Sequence, residues 1–452
     1  MSAMSSIPRK SFEHFKTSNV HPISDFCSLN RIAAAAETVN GYIVGYFKGL
    51  TLTSHFQPIF SLTHKRPVGY EALLRAMNTD GELIPPLAVF NMSLTEVETI
   101  FLDRLCRYLH VRNFLTLADD TSWLFLNFNP MVTIKGKGYG SFFAELLKQY
   151  ELPAHRIVVE ILEESIQDKT LLTGAVNYYR ELGCLIAIDD FGAGHSNFDR
   201  IWSLAPQIVK LDRSIITQAA NNYHIKRVLP NLINLIHESG SLSLMEGVET
   251  EKEALIAMDS GIDFIQGYFF CKPAPPQSSF NRNLTLMPEL YDKFKQFTET
   301  EANRYQEKLH DFVTNFHTSA KLIESGVPIN QACINFIKLP HSKRCYLLND
   351  AGMQLGVNIT SNADRHANAD PRLKPITDIR DANWSRRHYF RRAISSPGNI
   401  QISRPYLSMT GANMCVTLSL QINIGTEIQV FCCDIDWNES LNAEAGSPQP
   451  RR

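Results

Sequence analysis

The run Leu185–Phe198, LIAIDDFGAGHSNF, constrains the fold more than any other stretch of the chain. An apolar β-type segment delivers two adjacent carboxylates, Asp189 and Asp190, straight into a glycine-containing loop. This is the sequence form of a buried strand whose C-terminal end offers hard oxygen ligands to a divalent cation, with a mobile loop beside it. The same form recurs in GYEALLR, LFLNFN, IVVEILEE, IVKLD, LMEGVE and IQGYFF. Each is a short apolar run that ends in Glu, Asn, Asp, Lys or Gln. Strands that repeatedly finish on polar, metal-capable residues point to one shared site.

Eight β-type runs follow from the period: Ser54–Phe60, Gly69–Arg75, Trp123–Asn129, Ile157–Leu162, Leu185–Asp190, Ile208–Leu211, Ser243–Glu246 and Phe264–Phe269. Helix-compatible segments lie between most of them, at Thr95–Val111, Ser141–Tyr150, Lys169–Leu182, Ile225–Glu238 and Glu251–Ser260. Alternation of this kind predicts an α/β fold with a parallel sheet. Eight strands in about 220 residues suit a closed barrel, because sites at strand ends converge when the sheet closes. A doubly wound open sheet is the alternative that pattern leaves standing.

Around this barrel, expected over 50–280, the residues 1–49 read as a polar N-terminal extension, weakly helical from Ser28 to Thr38. The Pro-rich stretch Lys272–Pro276 closes the barrel domain. Residues 281–328 read as a helical linker, with Leu290, Phe294, Phe297, Tyr305, Leu309, Phe312, Phe316, Ala320 and Ile323 forming a narrow apolar stripe suited to packing on a partner or on the next domain. Gly326-Val327-Pro328 stops it. Residues 329–437 carry β-type runs at Arg344–Leu348, Ile400–Ser403, Cys415–Ile422 and Ile428–Ile435, which predict a separate α+β domain on an antiparallel sheet. The tail 438–452 reads as disordered.

Composition narrows the partners. A formal net charge of −2 gives no global reason to expect duplex nucleic acid or an anionic membrane. The nine cysteines are scattered, without a Cys-x-x-Cys pair, and several fall in apolar runs, so buried free thiols in a reducing cytosol are expected. No membrane span is expected, since Ile32–Phe47 is short and broken by Glu37 and Asn40. The chain reads as cytoplasmic. His55, His64, His110, His155 and His237 fall in no metal spacing, and Gly136–Gly140 lacks a following phosphate-loop signature.

Glu71-Ala72-Leu73 followed by Leu74-Arg75, then Asp189-Asp190-Phe191-Gly192, Lys210-Leu211-Asp212, Glu246-Gly247-Val248-Glu249-Thr250 and Gln266-Gly267-Tyr268 occur in an order that resembles EAL-domain cyclic di-GMP phosphodiesterases. The resemblance implies a modified (β/α)8 TIM-type barrel and hydrolysis of cyclic di-GMP to linear pGpG with two Mg²⁺ or Mn²⁺ ions. It implies Glu71, Asn127, Glu160 and Asp189 as ligands of one ion, and a bridging Asp189 with Asp190 and Glu246 at the second. Lys210 and Gln266 match positions beside the attacking water. Glu249 and Glu163 match carboxylates that order the loop after Asp190. Gln57, Glu71, Leu73, Leu74, Arg75 and Asp212 are expected to meet substrate, Arg75 through a phosphate.

Five positions depart from the family pattern: Ala193, Asn197, Leu162, Asn129 and Met245. None removes a ligand or Lys210. A receptor that binds cyclic di-GMP without turnover is the competing function, and retention of the first Glu, the Asp pair and the Lys favours the enzyme. The resemblance also implies a homodimer paired through elements beside Asp189-Asp190, with the stripe Leu290–Ile323 as a second surface. The stretch from Trp384, Arg387 and Tyr389-Phe390 through Tyr406 to Asp434-Ile435-Asp436 resembles a PAS/Cache-type sensory domain. An unidentified small molecule or protein is expected on its sheet face around Trp384, Tyr389 and Tyr406; the bland alternative is that these aromatics are simply core.

Overall fold

The computed structural model describes residues 27–117, 119–128, 132, 141–162, 169–194, 198–276, 278, 286–360, 379, 381–409 and 413–437. Expectations placed on Asn129, Glu163, Asn197, residues 1–26 and the tail 438–452 lie outside these residues. The chain divides into two units, 1–298 and 299–452.

The first unit holds β1 (Ala36–Val39), β2 (Tyr42–Phe47), β3 (Leu50–Ser61), β4 (Arg66–Met77), β5 (Leu83–Ile84), β6 (Trp123–Asn127), β7 (Ile157–Leu162), β8 (Leu185–Phe191), β9 (Ile208–Leu211), β10 (Leu242–Met245) and β11 (Phe264–Ile265). Neighbours run β3-β11-β10-β9-β8-β7-β6-β4, and β3 also pairs with β4, so eight strands close a ring. Helices Glu96–Phe114, Phe142–Gln149, Lys169–Glu181, Phe198–Leu204, Arg213–Asn221, Tyr223–Glu238 and Glu251–Asp259 follow successive strands. Strands and helices interleave where apolar runs alternate with 3.6-period segments, as the sequence predicts.

The sheet is not wholly parallel. β3 is antiparallel to both β4 and β11. Only residues 62–65 join β3 to β4, too few for a crossover, so the chain turns back as a hairpin with Lys65 in the left-handed region (φ 57°). The helix expected from Ser28 to Thr38 is also shorter: it spans Leu29–Ala34, and Ala36–Val39 is already β1. β1 and β2 form a hairpin that extends the sheet from β3. Asn113 completes this join, its Oδ1 accepting from the Ile43 amide and its Nδ2 donating to the Ile43 carbonyl, each at 2.8 Å.

Two apolar layers hold the barrel. Helix-facing side chains such as Leu52, Leu105, Leu126, Val159, Ile186 and Val209 make the main core. A separate cluster of Ile59, Phe125, Val158, Ala187, Ile208, Leu244 and Phe264, one residue from each of seven ring strands, fills the interior. Gly69 belongs to the eighth strand at this level. A Cβ there would lie 2.7 Å from the Phe125 ring, so glycine makes room for that phenyl group.

The second unit is a sheet in the order β13 (Gln354–Thr360), β12 (Ser342–Asn349), β17 (Glu427–Asp436), β16 (Asn413–Ile424) and β14 (Gln401–Ile402), with β15 (Tyr406–Ser408) on β16. All its pairings are antiparallel. One face is apolar, with Val416, Leu418, Phe431, Cys433 and Ile435 against Phe312, Phe316 and Phe336. The helix Leu286–Glu324 consumes the expected stripe inside the chain: Leu290 joins the first unit's core, and Leu309, Phe312, Phe316, Ala320 and Ile323 join the second's. These residues are therefore not an open apolar surface.

All nine cysteines are free, eight buried and Cys271 half-buried. Among the described residues no helix is long and apolar enough to cross a membrane.

Candidate active site

The site is the next layer of the same interior face. Side chains two apart share a face of a strand. Two residues beyond the apolar interior layer on the parallel strands stand Asn127 after Phe125, Glu160 after Val158, Asp189 after Ala187, Lys210 after Ile208, Glu246 after Leu244 and Gln266 after Phe264. Glu71 follows Gly69 in the same way on β4. On the antiparallel β3 the step reverses, and Gln57 lies two residues before Ile59. Each of these polar residues sits directly above an apolar plug residue or, for Glu71, above the glycine that accommodates Phe125.

Lys210 is the hub. Its ammonium nitrogen lies 2.5 Å from Glu160 Oε1, 2.6 Å from Glu246 Oε1 and 2.8 Å from Asp189 Oδ1. Only 1% of the residue is exposed, and Glu160 is fully buried. Burial works against the lysine's charge, but Asp189, Glu160, Glu246 and Glu71 outweigh it and hold its pKa well above the ordinary value. The carboxylates bear the opposite strain. Burial, only partly offset by Lys210, raises Glu160 well above the usual carboxylate range and Glu246 to about 8. Burial and then Asp189 raise Asp190. One lysine is too little positive charge for this many clustered acids.

A second set of bonds fixes Glu71. Its Oε2 accepts from Gln266 Nε2 at 2.7 Å and its Oε1 from Asn127 Nδ2 at 3.3 Å. Gln266 Nε2 also donates to Gln57 Oε1 at 3.1 Å, and Gln57 Nε2 donates to the Cys271 carbonyl at 3.0 Å. The backbone is shaped to match: a Cβ on Gly267 would lie 2.0 Å from the Val248 carbonyl oxygen, so only glycine allows the chain after β11 to pass there.

Asp189 and Asp190 are consecutive, and in a regular strand they would face opposite ways. The pairing of β8 with β9 shifts between Ile188 and Phe191, and Asp190 adopts φ 56°. This bulge with a left-handed residue turns both carboxylates to one side. Asp189, Asp190 and Glu246 each offer an oxygen, all within 4.8 Å of one another. Hard oxygen donors in this arrangement suit a divalent cation. Glu160 Oε2 and Gln266 Oε1 are buried and have no hydrogen-bond partner among the described residues. Such orphaned acceptors fit an added cation and a proton-donating ligand.

Other expected site residues stand further out. Leu73 and Arg75 share the face of Glu71, and Arg75 Nη1 donates to the Leu74 carbonyl at 2.9 Å. The Leu74 side chain is in the main core on the opposite face. Asp212 caps the helix Arg213–Asn221, accepting from the Ser214 amide at 2.9 Å. Glu249 pairs with Arg213 at 2.7 Å, a partner that the motif did not suggest. Of the departing positions, Met245 is fully buried in the core, and Ala193 is exposed with its amide donating to the Asp190 carbonyl.

Residues 47–273, half of the chain, match the family model described as the EAL domain. The chain belongs to the EAL-domain family. Its EAL domain is therefore the ring of β3 to β11 with the polar layer above the plug. The chain is 27% identical over 233 residues to the signaling protein YkoW of Bacillus subtilis, matching 49% of this chain but only 28% of YkoW. It is 27% identical over 361 residues to the EAL-domain protein YkuI of Bacillus subtilis, covering 77% of this chain and 85% of YkuI. It is 25% identical over 254 residues to the cyclic di-GMP phosphodiesterase RocR of Pseudomonas aeruginosa, covering 54% of this chain and 62% of RocR. The crystal structure of YkuI with c-di-GMP and calcium superposes with a TM-score of 0.70 at 23% identity, over 86% of this chain and 96% of YkuI, which establishes a shared fold.

Proposed function

We propose that the protein hydrolyses cyclic di-GMP to linear pGpG, with Mg²⁺ or Mn²⁺ held by the polar layer. The observation that carries this reading is the buried Lys210 bonded to Glu160, Asp189 and Glu246 within a donor set left with orphaned oxygens. The family, the likeness to RocR and the cyclic di-GMP and calcium in the YkuI structure support it. Glu71, Asn127, Glu160 and Asp189 would hold one cation, and Asp189, Asp190 and Glu246 a second. When bound, the cations supply charge neutralisation at the phosphoryl group and lower the pKa of water.

The chain's own groups supply orientation. In hydrolysis a water oxygen bonds to phosphorus, the bond from phosphorus to the ribose 3′ oxygen breaks, and that oxygen takes a proton. The three N–H groups of Lys210 point to Glu160, Asp189 and Glu246. The one freed where a cation would take over a carboxylate holds the attacking water's oxygen, while Gln266 Oε1 accepts a hydrogen bond from that water. The remaining donors of Arg75 suit a phosphate oxygen. Glu249 positions the loop after Asp190 indirectly, through Arg213 and the helix that Asp212 caps.

The second unit is a PAS-type sensory module in this reading. Its antiparallel order, second-first-fifth-fourth-third when β15 is set aside, and its helix-covered apolar face support that assignment. The protein acts in the cytoplasm as a homodimer, paired through the helix Phe198–Leu204, where Trp202 is 65% exposed. A monomeric mass at micromolar concentration would contradict the dimer. The activity itself is tested by incubating the purified protein and cyclic di-GMP with Mg²⁺ or Mn²⁺ and chromatographing the nucleotides. Tight binding without pGpG would establish a receptor instead.

A further inference from the structure

The second unit's sheet has one wholly apolar face and another on which Tyr346, Leu348, Val430 and Cys432 pack with Tyr389 and Phe390 of the helix His388–Ser395, beside a buried polar row. Arg344, Asp434 and Thr417 stand in one cross-strand row over β12, β17 and β16. Arg344 Nε donates to Asp434 Oδ2 at 2.6 Å, and Thr417 Oγ1 donates to Asp434 Oδ1 at 2.7 Å. Tyr406 and Thr417 hydroxyls are 2.8 Å apart. Arg344 is 6% exposed and Asp434 2%. A buried ion pair is weak evidence for stability, because desolvation cancels most of its attraction. The opposite face shows that this sheet packs with apolar side chains alone.

The pair is also incomplete. Asp434 is occupied by Arg344 and Thr417, whereas Arg344 Nη1 is buried with no acceptor among the described residues. A fixed Nε leaves the Nη edge of the guanidinium in a set direction, which is the geometry that selects planar oxyanions. Aromatic rings wall it: Arg344 stacks 5.0 Å from the Tyr346 centroid and 5.9 Å from Trp384. Trp384 and Tyr406 are half-buried, and the exposed Arg387 lies 5.4 Å from the Tyr406 centroid. Asp434 neutralises Arg344, and the exposed Arg387 adds a positive charge at the rim.

We propose that this face binds a small molecule with one carboxylate and a flat apolar body, the carboxylate on Arg344 Nη1 and the body against Trp384 and Tyr406. One buried Nη1 donor between aromatic walls favours a flat carboxylate over a tetrahedral phosphate. This rests on the sensory reading of the second unit and gives it a ligand class.

Benzoate is the probe, with neutral benzamide and inorganic phosphate at matched ionic strength as controls. Benzoate should raise the unfolding temperature of the full chain saturably, and the controls should not. Arg344→Met should abolish the response. If that variant does not fold, Arg387→Ala on the rim should weaken apparent benzoate affinity about threefold or more. No saturable response to benzoate, an equal response to benzamide or phosphate, or an unchanged response in the folded Arg344→Met or Arg387→Ala variant would overturn the site. Cyclic di-GMP hydrolysis measured with and without benzoate separates the two levels. Saturable benzoate binding with an unchanged rate keeps the site and removes its regulatory role.

Discussion

Lys210 and Glu160 lie on strands separated by β8, yet their charged atoms are 2.5 Å apart in the barrel interior, one side chain 1% exposed and the other 0%. The contact follows from ring closure, which brings both strand ends onto one axis. Lys210→Ala should lower kcat by about two to four orders of magnitude, the scale of positioned acid–base assistance, while cyclic di-GMP still binds. Near-normal kcat would remove Lys210 from the water's position. Without metal the same variant should lose about 3–5 kcal/mol in urea unfolding, because Glu160, Asp189 and Glu246 lose their buried countercharge. Added Mn²⁺ should recover more stability in the variant than in the parent, by mass action on the folded state.

Gln266 is bonded at its amide nitrogen to Glu71 and Gln57, with its carbonyl oxygen left over. Gln266→Leu should lower kcat by roughly tenfold to a hundredfold, the equivalent of about 1–3 kcal/mol for hydrogen bonds to a buried group. An unaltered kcat with a raised KM would make Gln266 a scaffold for Glu71 alone.

Much of this layer was legible in the sequence, because polar residues ending apolar runs coincide with the step from plug to site. All eight ring strands overlap their expected positions for the same reason. Strand direction was not legible: it depends on the four-residue turn before Arg66, which periodicity does not register. The bulge at Asp189-Asp190 was hidden too, since a left-handed aspartate has no sequence signature as strong as glycine. β13 escaped because QLGVNIT is an exposed edge with Gly356 inside it, so it shows no apolar alternation. The stripe's partner was not legible either: periodicity left open a partner or the next domain, and the two cores take up Leu290, Leu309, Phe312, Phe316, Ala320 and Ile323, whereas Tyr305 stays exposed.

Gly267→Ala should destabilise the barrel by about 3 kcal/mol or more, since backbone must move to relieve a contact of 2.0 Å. Thermal unfolding checks this, and a change below about 0.5 kcal/mol would show that the crossing relaxes freely.

Stability should also fall in mild acid through His110. Burial holds its imidazole down to about 3, and its Nδ1 lies 2.8 Å from Ser54 Oγ. Ser54 in turn accepts from Asn113 Nδ2 at 3.3 Å, so its hydroxyl hydrogen is free to go to a neutral ring. The unfolded chain protonates this histidine near pH 6.5. Its contribution is therefore complete above that pH and declines by up to about 1.4 kcal/mol per unit as pH falls toward 3. Urea unfolding between pH 7.5 and 5 should show a shallower pH slope in His110→Gln than in the parent. Equal slopes would mean that His110 takes no part in the acid loss.

The central claim is that this polar layer, loaded with a divalent cation, cleaves cyclic di-GMP. Its most direct test is pGpG formation by the parent, Glu71→Ala and Asp189→Ala, each with Mg²⁺, Mn²⁺, Ca²⁺ or a chelator. The parent should form pGpG with Mg²⁺ or Mn²⁺ alone and bind without turnover in Ca²⁺, whose bonds are longer and looser, and neither variant should form product. Product that persists in Asp189→Ala, or a parent that binds the nucleotide in Mn²⁺ and never linearises it, would contradict the account.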